Sequence, residues 1–124
     1  LLGECGRCGD DEISAIGWVI KNRLKSGRYG DEIADVVTFK RRGVYAFSTW
    51  DPRWRNEATG PHVDRSKAFI RAWGLAEAVW QEERDPTGGA TQFFHPASMK
   101  PRNRIPQWAQ GKVGQRIGGA IFFR

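Results

Sequence analysis

Apolar positions recur with helical period over two long stretches of the chain. In residues 10–26, Ile13, Ile16, Ile20 and Leu24 follow at steps of three and four, and Val19 widens the stripe. That spacing puts them on one face of a helix. Asp10 or Asp11 can cap it by accepting from an orphan first-turn N–H. Lys21 and Lys25 lie toward the end where the dipole favours cations, and Gly27 terminates it. A second, short helix is predicted over 31–38, capped by Asp31, with Ile33, Val36 and Val37 as its apolar side. The strongest pattern is "DRSKAFIRAWGLAEAVWQEE" at 64–83. Asp64 caps it; Phe69, Trp73, Ala76 and Trp80 form one stripe, and Ala72, Leu75 and Val79 another. Together they leave only a narrow polar side, with Arg71, Glu77 and Gln81, which predicts a central helix.

Between these helices, residues 40–62 show no period. They hold "YAFSTWDPRWRNEATGP", aromatic and rich in turn formers, and such long irregular segments commonly carry function. "DPTGG" at 85–89 ends the third helix, because Pro86 cannot continue it and two glycines follow. Residues 90–96 read as extended and 98–108, with two prolines, as irregular. "IGGAIFFR" reads as a short strand or a buried end. No repeat or linker interrupts the chain. The expectation is a mainly α, single compact domain over 1–124 with minor strand content.

Composition agrees. The chain has 124 residues, 40% of them hydrophobic and six of them Trp, enough for a packed core. No apolar run is long enough to span a membrane. "LLGECGR" lacks the charged and apolar regions of a signal peptide. Twenty basic against fourteen acidic residues give +6, which favours polyanions such as an anionic wall, anionic lipid or nucleic acid. "FKRRG" at 39–43 is the one tight cluster, and no nucleic-acid motif accompanies it.

Candidate chemistry concentrates in "GECGRCGDDE", residues 3–12. Cys5 and Cys8 have the C-x-x-C spacing of a redox site. Such sites usually follow a strand, with the first thiol at a helix N-terminus. Here four residues precede Cys5, and Asp10 and Asp11 would raise a thiol pKa, so a structural disulfide or two buried thiols is favoured. A zinc site would need two further ligands. His62 and His95 are distant in sequence and form no H-x3-H pair, so no metal or cofactor is expected. Glu4 is the other candidate, since a carboxylate in apolar surroundings can act as a general acid.

The wider pattern favours Glu4. "GECGRCGDDEISAIGWVIKNR" resembles the opening of the SleB-type cell wall hydrolases, with G-E-A-R-G-E followed by a helix carrying A-V-A-x-V-x-x-N-R. Glu4 stands 18 residues before Asn22, the interval of that pattern. "FSTW" at 47–50 resembles the family's F-S-x-W, and "DPTGGATQFFHP" at 85–96 resembles its D-P-T-x-G-A-T-H-F-Y-x-P. "IGGAIFF" at 117–123 resembles its closing I-G-x-H-x-F-Y. The resemblance implies a lysozyme-like catalytic domain that cleaves peptidoglycan between N-acetylmuramic acid and N-acetylglucosamine, as a lytic transglycosylase with Glu4 as the single acid and base. It also implies a helix or delivery segment upstream of Glu4. Action would be in the periplasm or cell wall, after export, phage delivery or secretion-system delivery; an inhibitor or delivery protein would be the further partner.

In the middle blocks, Tyr45, Phe47, Trp50, Phe93 and Phe94 can offer ring faces to sugars, and Ser48, Thr49, Thr87, Thr91 and Gln92 can hydrogen-bond them. Asp51 is the spare carboxylate, though Asp-Pro suits a turn. Three positions depart from the family pattern: Cys8 replaces its second glutamate, and Gln92 and Ala120 replace histidines. His95 fills neither position and is expected to pack beside Pro96. The departures motivate the alternative of a wall-binding module without turnover. Nucleic-acid binding and C-x-x-C redox chemistry are the remaining alternatives.

Overall fold

The computed structural model describes residues 8–41, 44–45 and 67–124, with the backbone alone for 44–45 and 67–69. Helix α1 spans Asp10–Ser26, as the hydropathy pattern predicts. Ile13, Ile16 and Val19 are at most 1% exposed, and Trp18 joins them. The helix ends at Gly27, whose φ of 69° is left-handed and whose N–H returns to the Leu24 carbonyl. The expected cap is corrected. Gly9 is the N-cap and no side chain caps the helix. The Asp10 carboxylate instead pairs with Arg71 at 2.7 Å, holding the start of α1 against the third helix.

Helix α2 is shorter than expected, Ile33–Val37. Glu32, not Asp31, is its N-cap, in a reciprocal capping box with Asp35. Val36 is buried, while Ile33 is 46% exposed. Strands β1 (Lys40–Arg41) and β2 (Val44–Tyr45) then form a two-residue antiparallel pair.

Helix α3 spans Lys67–Gln81 and packs on α1. It is not the all-round buried helix that its composition predicts. Ala72 and Val79 are buried, but Trp73 and Trp80 are exposed. A single lysine ties the end of α3 to α1: Lys21 Nζ donates to the carbonyls of Val79, Trp80 and Glu82 at 2.9–3.1 Å. These are carbonyls that a helix end leaves without internal partners. The same ammonium lies 4.3 Å over the Trp18 ring, and Trp18 Nε1 donates to Glu82 at 3.1 Å. The predicted cap Asp64 lies outside the described residues.

Strands β3 (Gln92–Phe94), β4 (Gln115–Ile117) and β5 (Ala120–Phe123) form an antiparallel sheet in the order β3-β5-β4. Opposed pairs share a face, so the register Phe93↔Phe122 and Ile117↔Ala120 defines one side. That side packs on Ala15, Ile16 and Val19 of α1. The other side carries Phe94, Ile121 and Phe123, covered by Met99 and Trp108. Two 3-10 turns, Pro96–Ser98 and Gln107–Ala109, carry the chain across that second face. The described protein is thus mainly helical, with its three-stranded sheet sandwiched between α1 and an irregular segment.

Candidate functional site

Glu4, Cys5, Phe47, Ser48, Thr49, Trp50, Asp51 and His62 lie outside the described residues, as does the side chain of Tyr45. Among the described residues, the ends of the first block and the D-P-T block lock together. Asp85 is the hub. Its Oδ1 accepts from the Thr87 N–H at 2.7 Å and the Thr87 hydroxyl at 2.6 Å. Its Oδ2 accepts from Asn22 Nδ2 at 2.8 Å and the Gly89 N–H at 2.9 Å. Burial pushes the Asp85 carboxyl up, but the bonds from the Thr87 hydroxyl, the Asn22 amide and the two N–H groups prevail and hold it below its ordinary value. Asn22 also donates to the Ala90 carbonyl at 2.9 Å, and Arg23 Nε to the Thr91 carbonyl at 2.6 Å. The N-R pair of the first block therefore holds the D-P-T-G-G-A-T block directly.

This fixes the described candidates. Thr87 is buried, its hydroxyl donating to Asp85 and accepting from the Ala90 N–H at 3.1 Å. Thr91 is buried at the start of the sheet, with its N–H on the Phe123 carbonyl. Gln92 and Phe93 are half-buried, and Phe93 stacks on Phe122 with centroids 5.5 Å apart. Phe94 lies in the second core cluster against Trp108 and Phe123.

A second cluster was not read from the sequence. Glu12, in the first turn of α1, is 5% exposed. Its Oε1 lies 2.9 Å from His95 Nε2, and its Oε2 accepts from the Gly119 N–H at 3.2 Å. Gly118, with φ of 60°, leaves room for it: a Cβ there would sit 2.6 Å from Glu12 Oε2. His95 is therefore not simply packed beside Pro96. It bridges the end of β3 to α1, its ring edge-on to Phe93 at 5.7 Å. Cys8 completes the group, its sulfur and one atom each of Glu12 and His95 all lying within 4.8 Å. The distance of His95 from Cys8 in sequence gave no guide to their distance in space. One signal was available: Glu12 and Arg23 fall at helical spacing with Ile16 and Val19, two charges on the buried face.

Cys8 is disulfide-bonded, and the chain's other cysteine is Cys5. In this oxidised state Cys8 presents no thiolate. The Arg71 guanidinium donates to the Cys8 carbonyl as well as to Asp10, tying this turn to α3.

The bonded blocks are those on which the resemblance rests, and the family comparison agrees. The family model described as Cell Wall Hydrolase matches residues 9–123. The chain belongs to that family of cell wall hydrolases, enzymes that act on peptidoglycan. The matched span begins after Glu4 and Cys8. Comparison with curated proteins and with solved structures gave no match. Among the described residues, no helix is long and apolar enough to cross a membrane.

Proposed function

We propose that this cell wall hydrolase cleaves the β-1,4 bond between N-acetylmuramic acid and N-acetylglucosamine as a lytic transglycosylase, with Glu4 as its acid and base. The observation that carries the reading is the family match over 9–123, joined to a Gly-Glu pair placed 18 residues before Asn22. Glycosidic cleavage needs a proton on the leaving oxygen. Glu4 donates it. The resulting carboxylate then takes the proton of the muramic acid 6-hydroxyl, whose oxygen closes on C1 to give an anhydro end.

A single carboxylate suffices for that sequence. Two acids tied into the family blocks, Glu12 and Asp85, have both oxygens engaged by protein groups. That favours a mechanism in which the substrate supplies its own nucleophile. In this reading Tyr45, Phe47, Ser48, Thr49, Trp50, Gln92 and Phe93 line the glycan groove. Thr87 and Thr91 hold the turn behind it. The enzyme works at the wall after delivery by export, phage or secretion system, and its basic balance of +6 suits an anionic wall.

Digestion of purified peptidoglycan, followed by analysis of the fragment ends, tests the reading. Anhydro-muramic ends are expected. Reducing muramic ends would replace transglycosylation with hydrolysis. Saturable sedimentation with the wall and no soluble fragments would replace catalysis with binding.

A further inference from the structure

We infer that Cys8, Glu12 and His95 form a redox-gated site for a zinc-class divalent cation, closed while Cys8 is in its disulfide and open when that bond is reduced. The three donor atoms already lie within 4.8 Å of one another. Tetrahedral zinc, with Zn–N and Zn–O bonds of about 2.0–2.2 Å and Zn–S of about 2.3 Å, sets its donors roughly 3.3–3.6 Å apart. Glu12 Oε1 and His95 Nε2, at 2.9 Å, need part by only a few tenths of an ångström to admit the ion. The sulfur need close by about 1.3 Å at most.

The surroundings are those of a prepared site. The other oxygen of Glu12 is held by the Gly119 N–H, which fixes the carboxylate's direction. Arg71 holds the Cys8 carbonyl and Asp10, which fixes the turn carrying the sulfur. The Glu12 side chain is 6% exposed and that of His95 22%, so the pair is mostly dry yet reachable from solvent. Thiolate, carboxylate and neutral imidazole carry a charge of −2, which neutralises the ion. Three protein ligands leave a fourth position for water.

The gate is balanced chemistry. A dithiol or phosphine reductant supplies two electrons, the S–S bond breaks, and each sulfur takes a proton. Zinc then displaces the proton of the Cys8 thiol, which is released to solvent. In the oxidised chain the sulfur carries no negative charge and the ion has two ligands, too few to hold it.

The test is titration of the full chain with Zn2+, and with Co2+ as the spectroscopic probe, before and after reduction with a non-thiol phosphine. Reduced protein should bind one ion per chain at least about tenfold more tightly than oxidised protein, a change typical of altering a metal's ligand environment. Co2+ should give a sulfur-to-metal charge-transfer band that Cys8→Ser abolishes. His95→Ala and Glu12→Gln should each weaken binding by about tenfold or more. Cys5→Ser, which leaves Cys8 a free thiol, should bind without reductant. Failure of the reduced parent to bind Zn2+, or equal affinity in parent and His95→Ala, would overturn the site. Equal affinity in oxidised and reduced protein would overturn the gate. None of these readouts depends on wall cleavage.

Discussion

Asp85→Ala should be among the most damaging single changes near the protein's surface. Asp85 accepts four hydrogen bonds, from Thr87 twice, Asn22 and Gly89. Each bond to a charged acceptor is worth about 1.5–3 kcal/mol net of its exchange with water. Two of the four donors retain other routes: Asn22 keeps the Ala90 carbonyl, and Gly89 is exposed and can turn to water. The two bonds from Thr87 then set a net cost of about 3–6 kcal/mol. At about 4 °C per kcal/mol for a chain of this length, the midpoint of thermal unfolding should fall by roughly 12–24 °C. A double-mutant cycle with Asn22→Ala should show a coupling of about 1–2 kcal/mol, because the two side chains share a bond.

The pH dependence follows from the sign of the shift. The folded carboxyl titrates below the unfolded one, so its contribution is complete above the unfolded value of about 3.9. It is lost as pH falls through the folded value. Urea unfolding of parent and Asp85→Asn at pH 7 and at successive points below pH 4 measures this. The difference between the two should shrink on acidification. A constant difference, or additive behaviour in the cycle, would refute the hub.

Two further outcomes test the packing around the site. Phe122 is 1% exposed between α1 and the sheet and stacks on Phe93, so Phe122→Ala should cost about 3–5 kcal/mol in urea unfolding. Gly118→Ala must hold a positive φ and place its Cβ against Glu12; it should cost about 2 kcal/mol or more, and the part due to the clash should be relieved in a Glu12→Ala background while the backbone part persists.

Helical period located α1 to the residue, because its apolar face is backed by the sheet and nothing competes with its pattern. The same reasoning overstated α3. Trp73 and Trp80 match its periodicity but remain exposed, since composition does not say how much of a helix's girth is buried. The β4–β5 hairpin escaped notice because β4, Gln115–Ile117, is too short and polar to show alternation. At the candidate site, the D-P-T-G-G-A-T block was visible as a motif, whereas its bonds to Asn22 and Arg23 cross more than sixty residues. Glu12 and His95 are 83 residues apart and meet only through the packing of α1 on β3.

The proposed activity rests on one ionisable group, and Glu4→Gln removes its proton while keeping its shape. Mass spectrometry of the muropeptides released from purified wall by parent and variant measures it most directly. The account predicts anhydro-muramyl products from the parent and a loss of about 10²–10⁴-fold in their release by the variant. Release of the same products at the parent's rate by Glu4→Gln would contradict it.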